Sequence, residues 1–102
     1  MQHTNVICPT IKFYNILGGK WKLSIIYHLK NKKMRFGKLA TVIDGISRKV
    51  LSDQLKQLEE DGLIKRNSFN EIPPRVEYTL TKRGDTLDDI FIHIDKWVKN
   101  YY

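Results

Sequence analysis

The sequence is short of everything that builds a small covalently or metal-stapled fold. Cys8 is its one cysteine, so neither an intrachain disulfide nor a multi-cysteine zinc site is available. Its three histidines, His3, His28 and His93, do not form a helical two-histidine ligand pair. Glycine is sparse, and Gly18-Gly19 stands alone without the further glycines or the Lys-Ser/Thr ending of a phosphate loop. No run of about 18 uncharged apolar residues occurs, which excludes a membrane-spanning helix. Met1 to Thr10 lacks the basic and apolar regions of a signal peptide, so a cytoplasmic protein is expected. Carboxylates are also few: 11 against 18 lysines and arginines, a formal charge of +7. Glu59-Glu60-Asp61 is a carboxylate run with no histidine or nucleophile at useful spacing, so neither catalysis nor a cofactor is expected.

What is present is a globular chain with a basic surplus larger than solubility requires, which points to a polyanionic partner. Its 102 residues suit one domain spanning 1–102. Pro9 suits a first helical turn, and the helix it opens carries Ile11, Tyr14 and Leu17 before Gly18-Gly19 ends it. From about Trp21 to Lys30 the apolar residues Trp21, Ile25, Ile26 and Leu29 fit a central, mostly buried helix, so 8–31 reads as N-terminal helices. Asn31 to Met34 reads as a polar connection. Phe36, Leu39, Ala40 and Ile43 then recur at helical spacing, and Asp44-Gly45 breaks the pattern. Ser47 is a strong N-cap, with Ile46 and Leu51 at the positions of a hydrophobic staple. The helix so capped carries Leu51, Leu55 and Leu58 and stops at Gly62.

After Gly62 the period changes. Val76, Tyr78 and Leu80 alternate with Glu77 and Thr79 as a half-buried strand, and Ile64 to Phe69 offers it a partner. The segment Asn70 to Arg75, with Pro73-Pro74, fits a hairpin tip. Thr81 then caps a last helix with Leu87, Ile90, Phe91, Ile94, Trp97, Val98 and Tyr101 in one stripe. The expected fold is mainly α with a small β-hairpin: a winged helix-turn-helix over 36–62, a wing over 63–81 and further helices at both ends.

Two helices joined by a short glycine-containing turn let the second enter the major groove of DNA. With the leucines inward, Lys49, Ser52 and Lys56 face outward, Ser47 caps, and Arg48 lies on the flank. The acidic run sits at the far end, as a helix approaching phosphates N-terminus first requires. The wing adds Asn70 and Arg75 as contacts for backbone or minor groove. Over 82–102, Phe91, Ile94, Trp97, Val98 and Tyr101 exceed what one small core can bury, so a symmetric dimer through this helix is expected. Such a homodimer presents two reading helices to the half-sites of an inverted repeat. A winged-helix module that binds protein or RNA is the alternative. Against it, Tyr78 reads as core-facing, whereas single-stranded RNA is read by aromatics exposed on a sheet.

Several local motifs occur together and in order. They are Cys8-Pro9, Gly18-Gly19-Lys20-Trp21, Arg35-Phe36 with Leu39, and Gly45-Ile46-Ser47 with Lys49 and Leu51. Asp61-Gly62-Leu63 with Arg66, and Pro73-Pro74-Arg75-Val76-Glu77-Tyr78 with Leu80-Thr81 and Gly84, follow. Together they resemble the HxlR family of bacterial transcriptional regulators over about residues 8 to 97. The resemblance implies a dimeric repressor or activator that contacts double-stranded DNA from Ser47 onward and through the wing. It also implies a candidate redox-sensing role for Cys8, since some relatives sense oxidants, electrophiles or quinones there. A thiol beside a helix N-terminus is favoured as thiolate. With nothing after the last helix for a separate ligand domain, a small-molecule or oxidant effector is expected to act on the dimer directly.

Overall fold

Ile25, Ile26 and Leu29 have essentially no exposed surface, and the rest of the molecule is arranged around them. The structure, a computed structural model, describes residues 8–102. Met1 to Ile7, including His3 and most of the stretch read as lacking a signal peptide, lie outside the described residues. The elements run α1 (Pro9–Leu17), α2 (Lys22–His28), β1 (Met34–Arg35), α3 (Phe36–Val42) and α4 (Arg48–Glu60). After these come β2 (Ile64–Phe69), β3 (Arg75–Leu80), α5 (Lys82–Asp85) and α6 (Asp88–Tyr101). This is the expected helix-turn-helix and wing, with two differences of detail.

The first difference is β1. The polar connection before Phe36 ends in a two-residue strand that pairs antiparallel with β3, Met34 opposite Tyr78 and Arg35 opposite Glu77. The sheet is therefore three-stranded in the order β1-β3-β2, with β2 and β3 in register from Ile64↔Leu80 to Phe69↔Arg75. The second is the terminal helix, which breaks into α5 and α6 at Thr86-Leu87. Thr81 does act as a cap, accepting from the Gly84 amide, but only for the short α5. Thr86 Oγ1 donates to the Arg83 carbonyl at 2.5 Å, and the Thr86 and Leu87 amides bond three residues back. A hydroxyl that captures a helical carbonyl competes with the backbone ladder and bends it.

Leu39, Leu51, Leu55 and Leu58 join α2 in the fully buried core, with Leu17, Ile43, Ile46, Leu63, Ile64, Tyr78 and Leu87 around them. Each such side chain is worth about 1.5–3 kcal/mol on removal from water. The core thus lies directly under α4 and fixes its orientation. Both turns flanking α4 depend on left-handed backbone, at Gly45 (φ +81°) and Gly62 (φ +73°). At Gly62 the chain forms a paired termination: its amide bonds the Glu59 carbonyl and the Leu63 amide bonds the Leu58 carbonyl, both at 3.0 Å. Leu58 and Leu63 are buried together across that turn, as this type of helix ending favours.

Helix α6 is held only at its start. Leu87 is buried in the core, Phe91 meets Tyr27 edge-on at 5.5 Å between ring centroids, and no residue from Asp88 to Tyr101 is itself buried.

Candidate nucleic-acid interface

Helix α4 begins where its cap dictates. Ser47 is extended (φ −79°, ψ 157°) and its hydroxyl accepts from the Val50 amide at 3.1 Å. Ile46 and Leu51 stand on either side of that cap at the positions of a hydrophobic staple, and both are buried in the core. With Leu51, Leu55 and Leu58 facing the core, Arg48, Lys49, Ser52 and Lys56 are all exposed on the outer side. No carboxylate occupies the first turn. Lys49 leans toward Asp53, one turn on, at 3.5 Å. The Arg48 guanidinium lies over the Phe36 ring, 5.6 Å from its centre, so α3 holds it beside the α4 N-terminus. The acidic residues Glu59, Glu60 and Asp61 gather at the opposite end. The arrangement offers first-turn amides, a positive dipole end and mobile cations to a polyanion.

The wing is less open than its composition suggests. Asn70 is exposed at its tip. Arg75 is half-buried: Nη2 lies 2.9 Å from Glu71 Oε2, Nε lies 3.8 Å from Glu77 Oε2, and the guanidinium sits 4.1 Å above the Phe69 ring. The structure thus places Arg75 as a brace across the hairpin, with its charge engaged on both sides. Lys65 and Arg66 on β2 are exposed, and Arg66 donates to Ser68 Oγ at 3.0 Å.

Sequence reasoning passed over four other cations. Lys32, Lys33, Arg35 and Lys38 line one hollow with Met34, Gly37 and Glu77, beside the start of α3. The density of basic residues between Lys30 and Lys38 was the available signal. Reading Asn31 to Met34 only as a polar connection hid that β1 folds this segment against the wing.

Four of the five residues expected at a dimer surface, Ile94, Trp97, Val98 and Tyr101, are exposed on α6. The Trp97 ring lies 5.6 Å from that of Tyr101 and 5.5 Å from that of Tyr102. The fifth, Phe91, is half-buried against Tyr27 because it pins the helix to its own core. Ile11 and Tyr14 of α1 add further exposed apolar surface. Cys8 is exposed as the residue preceding α1. Its thiol is shifted below the ordinary value by the nearby Ile11 and Thr10 backbone amides and the Thr10 hydroxyl. No group of three or more His, Cys, Asp or Glu placed to hold a metal occurs among the described residues.

Comparison with known proteins agrees with this geometry. Residues 16–102 match the model of the HxlR-like helix-turn-helix family. The HTH-type transcriptional regulator YdeP of Bacillus subtilis is 39% identical over 94 residues, covering 92% of this chain and 73% of YdeP. Among solved structures, a MarR-family transcriptional regulator from Porphyromonas gingivalis superimposes with a TM-score of 0.88 at 39% identity, over the whole of both chains. The redox regulator HypR in its oxidised form gives 0.85 at 35% identity, over 93% of this chain and 98% of HypR. A helix-turn-helix with a basic outer face, a three-stranded wing and relatives of this kind have one reading: the chain belongs to the HxlR-like helix-turn-helix family of DNA-binding transcriptional regulators, which are not enzymes.

Proposed function

We propose that the protein works as a homodimer in the cytoplasm, binding an inverted-repeat operator in double-stranded DNA with one α4 helix in the major groove of each half-site. The observation that carries this reading is α4 itself: a capped N-terminus free of carboxylates, with Ser47, Arg48, Lys49, Ser52 and Lys56 exposed above a fully buried leucine face. Arg48 and Lys49 bind phosphate at the groove edge, while Ser52 and Lys56 project further along the helix to base edges. Asn70 follows the backbone from the wing. Arg75 supports it by holding the hairpin in shape. Dimerisation runs through α6 and α1, which leave Trp97, Tyr101, Ile94, Val98, Ile11 and Tyr14 exposed, large apolar side chains that a partner copy would cover. Cys8 gives the dimer an oxidant response: it is exposed, its thiol is shifted toward thiolate, and HypR, a redox regulator, is among the similar structures.

The test is selection of genomic fragments by the purified chain at near-physiological salt, beside an Arg48→Ala/Lys49→Ala variant. The reading predicts enrichment of an inverted repeat by the native chain and loss of retention by the variant. Retention of DNA without any shared sequence, or equal retention by the variant, would overturn it.

A further inference from the structure

We infer that the hollow lined by Lys32, Lys33, Arg35 and Lys38 is a second DNA contact, a clamp for backbone phosphates outside the base pairs that α4 reads. The inference rests on the DNA-binding reading above and assigns part of the footprint to residues outside α4 and the wing tip.

Three observations converge. The first is charge: four cations surround a hollow whose one carboxylate is Glu77, and all four cationic side chains are exposed. Glu77, by contrast, is buried and sits on the strand floor, with Lys33 Nζ 3.9 Å from one oxygen and Arg75 Nε 3.8 Å from the other. The carboxylate therefore steadies the cluster from beneath and presents little negative charge outward. The surplus has no acidic partner within the hollow.

The second is continuity with the reading head. Arg48, the first residue of α4, lies over the ring of Phe36, and Phe36 sits between Arg35 and Gly37 of the hollow. The hollow thus begins where the recognition helix begins. On its other side, Arg35 and Asn67 both pair with Glu77 in the sheet register, so the same surface runs across β1 and β3 to the second wing strand. Cross-strand partners project on the same face. The hollow thus lies between the α4 N-terminus and the strands of the wing.

The third is the shape of what fits. The hollow is open to solvent, and Gly37 on its lining has nothing within 4 Å of where a side chain would start. An extended polyanion can lie across it. Flexible lysines over an open surface suit a phosphodiester backbone, which demands charge and little geometry, and are poorly suited to selecting a base edge.

The experiment compares the full chain with a Lys32→Ala/Lys33→Ala/Arg35→Ala/Lys38→Ala variant on two duplexes, a fragment retained by the native chain and a scrambled sequence of equal composition. Affinity is followed over a range of salt. Each phosphate contact removed takes about 0.9 from the log–log salt slope, and the homodimer carries two hollows, so losing one to two contacts per protomer should lower the slope by about two to four units. Affinity for both duplexes should drop by the same factor, and the ratio between them should stay within about twofold, as expected for phosphate contacts. An unchanged slope would overturn the clamp. So would a loss confined to the selected duplex, because the hollow would then be reading bases. If the native chain discriminates between the duplexes while the variant's slope is intact, only the clamp fails. If the native chain retains no fragment at all, the operator-binding reading fails and takes the clamp with it. Should the fourfold variant melt early, Lys33→Gln/Lys38→Gln carries the same test, since both side chains are exposed and the amides keep most of their length.

Discussion

Lys30 Nζ and Asp88 Oδ1 lie 2.7 Å apart, joining the turn after α2 to the first residue of α6. The same ammonium sits 5.5 Å from the Tyr27 ring centre and 5.9 Å from that of Phe91. This cluster, with buried Leu87, is the hinge from which the long apolar helix projects. Its electrostatics give a pH signature. The carboxylate of Asp88 raises the Lys30 pKa above its ordinary 10.5. A folded-state pKa above the unfolded value stabilises while lysine is charged in both states, and that contribution is lost as pH rises through the folded value. Asp88→Asn should therefore lower the melting temperature near pH 7 to 9, and the gap from the native chain should close in the strongly alkaline range. A gap that persists unchanged through that range would mean the pair contributes nothing through charge.

Trp97 offers a sharper probe of the dimer than Phe91 does. Phe91 already packs on Tyr27, so Phe91→Ala would disturb the monomer and the interface together. Trp97 is more than half exposed in the single chain, and its ring lies beside those of Tyr101 and Tyr102 near the end of its own helix. Trp97→Ala should leave thermal unfolding of the monomer nearly unchanged and weaken dimerisation by about tenfold or more, as buried aromatic anchors do. Analytical ultracentrifugation over a dilution series measures it. A variant that stays dimeric at the lowest concentrations would remove Trp97 from the interface.

The elements legible in the sequence were those whose signal is local. Ser47, Ile46 and Gly62 mark the ends of α4 by cap, staple and stop, and each acts within a few residues of itself. The wing announced itself through alternation and Pro73-Pro74. What escaped depends on partners distant along the chain. Two residues, Met34 and Arg35, form a strand only because Tyr78 and Glu77 wait opposite them. Arg75 reads as a free wing arginine until the hairpin brings Glu71, Glu77 and Phe69 around it. The break at Thr86 depends on the choice of a single hydroxyl among acceptors, which periodicity does not encode.

Two glycines make opposite predictions. A Cβ added at Gly84 would overlap the Leu63 carbonyl and press on Leu80, so α5 can approach the start of β2 only without a side chain there. Gly84→Ala should cost about 1–3 kcal/mol, the range of overpacked cores. Gly37 lies in α3 with open space where a side chain would start. Gly37→Ala should be neutral or stabilise by up to about 1 kcal/mol through helix propensity. Chemical denaturation of both variants checks the pair. Equal effects would mean that the close approach at Gly84 relaxes without strain.

The proposed oxidant response turns on the chemistry of one atom, the Cys8 sulfur. Its thiol is lowered first by the Ile11 amide, then by the amide and hydroxyl of Thr10, all at the open end of α1. Bonds that favour the thiolate increase its fraction at neutral pH and with it the rate of alkylation or oxidation. Thr10→Val removes the hydroxyl and keeps the shape and the backbone amide. The pH midpoint for alkylation by iodoacetamide should rise in that variant yet stay below that of an unstructured cysteine peptide. Coincident midpoints for native and variant would show that the Thr10 hydroxyl does not act on the thiol. The functional arm uses Cys8→Ser, which should bind DNA as the native chain does and lose any response to an oxidant such as diamide. If native binding is also indifferent to diamide, Cys8 is an exposed thiol without a sensing role, and the regulating signal enters the dimer elsewhere.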